Sequence, residues 1–258
     1  MTGTVTVTGL ATAVLLVLVA AVISRWKGLR LEGAILWSAV RATAQLLAVG
    51  GALVLLVREQ TPLWWSWVWV AAMVAYAGAV ARRRAPEVPR IGRLTVAAFA
   101  AAGLVSLGVL FGLGVLPAHG RTVVPLAGMM IGNSMTATVL VARRIVDELR
   151  DKRAEVEARL ALGLSSSEAS APAVRTALAV ALTPQIESTK ATGLVFLPGA
   201  MTGMILAGVS PLLAVQLQAV VMFLVLGSVA VSTVVLALGV SRQMFTTGHR
   251  LRAIPESS

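Results

Sequence analysis

The chain has 258 residues, 57% hydrophobic and 13% charged, with a mean hydropathy of +0.87 and a formal net charge of +11. Soluble domains carry about 25% charged residues, so this composition excludes a water-solvated globule and makes lipid the solvent for most of the chain. The absence of cysteine excludes disulfides, zinc–thiolate sites and iron–sulfur clusters built from this chain, and in a membrane protein the basic excess marks a cytoplasmic face, not nucleic acid.

A helix crossing the hydrocarbon needs about 20 mostly apolar residues. Seven blocks qualify, near 5–23, 33–57, 63–81, 94–116, 122–142, 190–209 and 212–240. Short loops join most of them, so residues 1–258 read as one all-α polytopic domain. The opening Met1–Val7 lacks the basic region of a secretory signal, and Arg25, Lys27 and Arg30 follow the first apolar run. That order predicts an uncleaved first span with its N-terminus outside. Further basic clusters lie at Arg82, Arg83, Arg84, Arg90 and Arg93, in the insert at about 143–182, and at Arg242, Arg250 and Arg252. Seven spans place every cluster inside, with the C-terminus, and leave only Arg58 and Arg121 outside; six or eight would not. Abundant Arg, Ala and Val suggest a GC-rich bacterial genome, hence the bacterial cytoplasmic (inner) membrane.

The second span carries Arg41 about eight residues in, with Gln45 one turn on. A central Arg costs about 2.5–3.5 kcal/mol on insertion scales, so it either snorkels to the interface or pairs in the bundle, with Glu32 or Glu187 as partners. Trp64, Trp65, Trp67 and Trp69 open the third span and read as an interfacial aromatic belt, with an aromatic substrate platform as the alternative. Asn133, Ser134, Thr136 and Thr138 make the fifth span polar, and Pro198-Gly199 interrupts the sixth. A broken helix frees backbone groups that are tolerated only against protein or a wet cavity. These two segments therefore mark a translocation path, comprising Arg41, Gln45, Asn133, Ser134, Met135, Thr136, Pro198, Gly199, Met201 and Thr202. For the glycines, Gly128-x-x-x-Gly132 and Gly199-x-x-x-Gly203 read equally well as helix-packing pairs.

The insert holds six of the eleven acids and seven of the 22 bases. No proline falls between Pro125 and Pro172, so the fifth span is expected to run unbroken into the cytosol; Asn133 to Gly163 is roughly 45 Å of helix. Glu148/Lys152, Arg153/Glu157 and Glu155/Arg159 are i,i+4 pairs that support a solvated helix. Gly163 fits a left-handed C-terminal turn, and Ser165-x-x-Glu168 has the spacing of a capping box that starts a second helix. Pro172 then kinks that helix, or lies in its first turn if Ser170 is the cap. Leu160, Ala161, Leu162 and Leu164 give this hairpin an apolar tip where the charges stop. A charged hairpin can simply be solvated; an apolar tip fits a docking partner.

Glu157-Ala158-Arg159-Leu160-Ala161-Leu162-Gly163 resembles the Glu-Ala-Ala-x-x-x-Gly coupling motif of ABC-transporter permeases, with Arg159 at the third position. Together with Gly128-Met-Met-Ile-Gly-Asn133-Ser134-Met135-Thr136-Ala-Thr138, Ser167-Glu168-Ala169, Gly193-Leu-Val-Phe-Leu-Pro198-Gly199-Ala-Met201-Thr202-Gly203 and Arg41 with Gln45-Leu46-Leu47, it makes the chain similar, over nearly its whole length, to the FetB-type permease family. That family is associated with iron export and has plant relatives linked to aluminium tolerance. The resemblance implies an ABC transporter of two permease copies and two separate ATPase subunits. Glu157, Ala158, Leu160, Leu162, Gly163 and Glu168 would couple to the ATPase, and ATP with Mg2+ would be bound only by that partner. The sequence agrees in lacking a Gly-x-x-x-x-Gly-Lys-Ser/Thr phosphate loop. His-Glu-x-x-His and Gly-x-Ser-x-Gly motifs are also missing, so no cofactor and no enzymatic activity is expected of this chain. The alternative is a self-sufficient secondary transporter or channel. Iron sites use His, carboxylate or Cys ligands, which are scarce in the spans; Met129, Met130, Met135, Met201 and Met204 offer thioethers instead. A metal, a chelated metal, an organic anion and a nucleotide sugar all stay open as cargo.

Overall fold

The computed structural model describes residues 7–56, 62–246 and 248–252. It is built of helices: α1 (Val7–Trp26), α2 (Glu32–Leu56), α3 (Leu63–Arg84), α4 (Ile91–Gly112), α5 (Gly120–Asp151), α6 (Arg153–Ala161), α7 (Ser166–Ala191), α8 (Gly199–Leu206) and α9 (Pro211–Gln243). The chain divides into two compact units, Met1–Thr61 and Pro62–Ser258. In the first, α1 packs on α2. Gly28, at φ 66°, takes the left-handed position that ends α1, and the Ser24 hydroxyl accepts from the Leu31 N–H at 3.0 Å.

In the second unit α9 is the central element, packing against α4, α5, α7 and α8, while α5 also packs on α3 and α7. Two apolar clusters hold it. One joins Ala81, Ile91, Ile145, Leu149, Val156, Ala173 and Val240, with Phe245 and Leu251 of the C-terminal tail. The other joins Val70, Phe99, Leu107, Val123, Met130 and Leu224. At the crossing of α3 and α4, a Cβ on Gly78 would stand 2.9 Å from the Gly92 carbonyl oxygen, so only glycine permits that approach.

Among the described residues α2, α3, α4, α5 and α9 are long and apolar enough to cross a bilayer, and Thr12–Trp26 adds a shorter apolar stretch. The chain is thus an all-helical multi-pass membrane protein. The sixth expected span, 190–209, is not one helix. α7 ends at Ala191, Gly193 turns left-handed at φ 91°, and the Gly193 N–H donates to the Phe196 carbonyl at 2.9 Å. α8 then has only 8 residues, about 12 Å of rise against a hydrocarbon core of about 30 Å. The expected unbroken fifth helix also needs correction: Lys152, at φ −106° and ψ 28°, separates α5 from α6. Trp64, Trp65 and Trp67 are exposed at the start of α3, as an interfacial belt requires, with the Trp64 and Trp65 rings stacked at 4.3 Å.

Candidate functional site

The hairpin forms as its caps dictate. Gly163 has φ 88°, its N–H donates to the Leu160 carbonyl at 3.0 Å, and the Leu164 N–H donates to the Arg159 carbonyl at 3.2 Å. This paired closure satisfies the last carbonyls of α6. Two residues on, the Ser165 hydroxyl accepts from the Glu168 N–H at 3.3 Å and the Ser165 N–H donates to the Glu168 carboxylate at 2.9 Å. The Ser165 hydroxyl also donates to the Glu168 carboxylate at 2.7 Å, and this bond first, with the backbone N–H next, holds the Glu168 carboxyl below its ordinary pKa. Ser165 is therefore the cap, and Pro172 lies inside α7.

All three expected i,i+4 pairs are present: Lys152–Glu148 at 2.8 Å, Arg153–Glu157 at 2.7 Å, and Arg159–Glu155. Glu148 is buried and also takes Arg144 at 2.7 Å, a three-charge clamp at the foot of the hairpin. The expected apolar tip is only partly outward. Leu162 is 80% exposed, and Glu157, Ala158, Ala161, Gly163, Leu164 and Glu168 are exposed with it, whereas Leu160 turns inward against the first apolar cluster. The tail braces the hairpin, with His249 Nδ1 3.1 Å from the Ser166 hydroxyl.

Deeper in the same unit, a cavity of about 260 Å3 opens between α5, the end of α7, the start of α8 and α9. Its polar wall is Asn133, Gln185, Ser188, Thr189, Thr192 and Gln218; Met129, Met222, Phe196, Pro198 and Gly199 supply apolar surface. A second hollow of about 210 Å3 shares Asn133 and Gln185 and adds Gly132, Thr136 and Pro184. The two form a track with Asn133 at its waist. The Asn133 amide donates to the Met129 carbonyl at 2.7 Å, which leaves its side-chain oxygen as an acceptor. The Gln218 side-chain oxygen is buried without a partner, a costly arrangement that a polar guest would relieve. Pro184 has no N–H to give the Val180 carbonyl, which adds a local break in α7. Hydroxyls of Thr189 and Thr192 return to the carbonyls of Gln185 and Ser188 at 2.8 and 2.9 Å. The wall is neutral and rich in oxygen.

Asn133, Pro198 and Gly199 line the first hollow, and Asn133 and Thr136 the second. Ser134 is fully buried and Met135 packs on the second apolar cluster, because these positions lie on the other face of α5. Met201 is buried, and Thr202, exposed, returns its hydroxyl to the Pro198 carbonyl at 3.2 Å; neither lines the cavities. Arg41 and Gln45 lie on α2 in the other compact unit, exposed within it. Of the five methionines singled out, only Met129 reaches the cavity; Met222 joins it. Pro198 caps α8 and does not itself break a continuous helix. Glu187 pairs with Lys190 at 2.9 Å. Gly128 meets Met73 of α3 and so is a packing glycine, whereas Gly132, Gly199 and Gly203 face open space. Sequence reasoning missed Gln185, Ser188, Thr189 and Gln218. The signal was the polar run 185–190 closing an otherwise apolar segment, and the pair Gln216 and Gln218 inside the last span. Among the described residues no three His, Asp or Glu side chains gather as a metal site.

Residues 7–245 match the model of a family described as "Uncharacterised protein family (UPF0014)". The chain is 39% identical over 224 residues to the "UPF0014 membrane protein STAR2" of Oryza sativa subsp. japonica, covering 87% of this chain and 78% of that one. It is 35% identical to the "Protein ALUMINUM SENSITIVE 3" of Arabidopsis thaliana, covering 94% and 88%. It is 32% identical to the "Probable iron export permease protein FetB" of Escherichia coli (strain K12), covering 94% and 93%. No solved structure matches the chain. With every described helix inside the matched region and relatives of this identity along almost its whole length, the chain belongs to the UPF0014 family of membrane proteins.

Proposed function

We propose that this chain is the permease subunit of an ABC-type exporter in a bacterial cytoplasmic membrane, with seven crossings, the sixth made by α7 together with the turn and α8 and not by 190–209 alone, the N-terminus outside and the hairpin and C-terminus in the cytosol. Two copies would work with two ATPase subunits that bind ATP with Mg2+; this chain would hydrolyse nothing itself. The observation that carries the reading is the hairpin: a doubly capped helix–turn–helix whose outward tip is Leu162 and Gly163, beside Glu157, Ala158 and Glu168. A rigid, charged hairpin ending in an exposed leucine is suited to seat in a groove of a soluble partner.

The cargo reading follows the cavity wall. Neutral amide and hydroxyl oxygens with two thioethers offer hydrogen bonds and soft donors but no carboxylate or imidazole cluster. A bare ferrous or ferric ion is poorly served by such a wall. A metal carried by a polar chelator, or a related polar solute, is better served, which accords with the iron-export name of the Escherichia coli relative.

Copurification with the ATPase encoded by a neighbouring gene, followed by ATP-driven transport in proteoliposomes, tests the proposal. Transport by the chain alone, without ATP, would instead establish a secondary transporter or channel.

A further inference from the structure

The turn between α3 and α4 encloses a cavity of about 660 Å3, within the size range of ligand clefts. Its wall includes three arginines, Arg82, Arg90 and Arg93, with Pro86, Pro89 and Gly92. No carboxylate pairs with those three among the described residues; the one acid of the turn, Glu87, is engaged by Arg143 of α5 at 3.4 Å. Bases at a membrane surface ordinarily snorkel singly. These converge. Arg90 is held at φ 52°, a left-handed conformation that a residue with a Cβ adopts at a cost. The stem of Arg82 lies against the backbone of Gly92, where a Cβ would come within 2.7 Å of it, so a glycine in α4 is what lets this arginine reach the shared mouth.

A separate apolar furrow of about 540 Å3 lies farther along the same two helices, lined by Val74, Ala75, Val96, Phe99 and Gly103 among others; it shares no lining residue with the basic cavity, and the close Gly78–Gly92 contact stands between the two. Val96 approaches Gly78, one turn from Arg82: a Cβ there would stand 2.8 Å from it. The furrow begins at Val96, three residues on from Arg93, and runs along α4 to Phe111, roughly 22 Å, more than the ~15 Å of one leaflet, half of the ~30 Å hydrocarbon core. A basic cavity with an apolar furrow beginning one turn farther along the same helix suits an amphiphile with an anionic head.

We propose that the α3–α4 turn is a binding site for an anionic phospholipid, its phosphate held by Arg82, Arg90 and Arg93 and one acyl chain laid in the furrow. Guanidiniums bind phosphate through paired N–H donors. The site rests on neither the cargo nor the ATPase reading.

The test is native mass spectrometry of the full chain, purified in mild detergent and titrated with palmitoyl-oleoyl phosphatidylglycerol or its phosphatidylcholine counterpart. One saturable phosphatidylglycerol and no comparable phosphatidylcholine is the expected result. Joint substitution R82Q/R90Q/R93Q should weaken retention roughly 100-fold, about 1 kcal/mol per charge converted at 1.4 kcal/mol per tenfold. Arg90→Gln alone should weaken it roughly fivefold on the same scale. R83Q/R84Q, which removes charge from the same segment but not from the cavity wall, should leave retention unchanged. Glycerophosphoglycerol, a head without chains, should not compete. Equal loss in R83Q/R84Q, or equal binding of phosphatidylcholine, would overturn the site. Competition by glycerophosphoglycerol or inorganic phosphate at the lipid's own affinity would overturn the lipid in favour of a soluble phosphate.

Discussion

Leu160 and Leu162 sit two residues apart on the hairpin and should separate the proposed docking from folding. Leu162 is 80% exposed and touches solvent at the tip, while Leu160 is half-buried against the first apolar cluster. Leu162→Ala removes three carbons that the isolated chain scarcely buries, so its stability should change by less than about 0.5 kcal/mol. If a partner groove covers that side chain, the loss is about 0.8 kcal/mol per carbon over the four-fifths still exposed, near 2 kcal/mol or roughly 30-fold in affinity. Leu160→Ala should do the reverse: lower the melting temperature of the permease and weaken docking only as the hairpin loosens. The assay pairs thermal unfolding of the purified permease with its equilibrium binding to the ATPase subunit. A Leu162→Ala variant that binds the ATPase with undiminished affinity would refute the docking tip, whatever Leu160→Ala does.

Asn133→Leu should abolish cargo-stimulated ATP hydrolysis while leaving ATPase binding intact, because Asn133 lies at the waist of the cavity and far along α5 from the hairpin; unchanged stimulation would move the path elsewhere. Ser165→Ala should cost about 1 kcal/mol of hairpin stability, read by amide exchange at the start of α7. In the intact chain the Glu168 carboxyl should titrate below its ordinary range, so its support of that helix start is complete at neutral pH and fades as the pH falls through the lowered value; the same variant should raise the midpoint seen by carboxyl carbon NMR. Gly78→Ala should destabilise the α3–α4 crossing by about 1–3 kcal/mol in thermal unfolding, since the new Cβ meets a backbone oxygen that cannot swing aside. In whole cells, an impermeant thiol reagent should label His119→Cys from outside and leave Ser167→Cys unlabelled; the opposite pattern would invert the proposed orientation.

Local rules of sequence carried the hairpin well. Gly163, Ser165, Glu168 and the i,i+4 pairs are short-range signals, and each takes its expected geometry. The membrane helices were equally legible as apolar runs, except where hydropathy could not tell a crossing from a turn. In 190–209 the residues Leu194, Val195, Phe196 and Leu197 are apolar enough to read as a span, yet they form an exposed turn because Gly193 adopts a left-handed conformation. Which face of α5 meets the cavity was not legible. Asn133 and Ser134 are neighbours of similar polarity, but a 100° step around the helix puts one on the hollow and the other in the core. Gln185 and Gln218 lie 33 positions apart in the sequence, and only the packing of α7 on α9 brings them to one wall.

The same packing suggests how a push at the hairpin would reach the cavity. α5 and α7 both run from the hairpin to the hollow, one delivering Asn133 and the other Gln185. Along α7, Ala169, Ala173, Ala177 and Ala181 recur every fourth residue and are all but fully buried. Small side chains at that spacing let helices approach closely and leave few interdigitating knobs to resist a slide. Larger groups would lock the seam, since ridges must climb out of grooves to move. Near the hairpin, by contrast, α7 is tied to α9 by the Ser170–Ser241 hydroxyl pair at 2.9 Å, and α5 ends in the buried Glu148 clamp. The hairpin end is thus pinned by polar contacts, and the alanine seam leads from it to a hollow whose Gln218 oxygen lacks a partner. A force on the tip would be borne by the pinned end and released as sliding or tilting along the seam, where it changes the distance between Asn133 and Gln185. If the proposed ATPase docks at the tip, that division of a stiff handle from a slippery shaft would suit an ATP-driven gate, and it follows from where this chain puts its serines and its alanines.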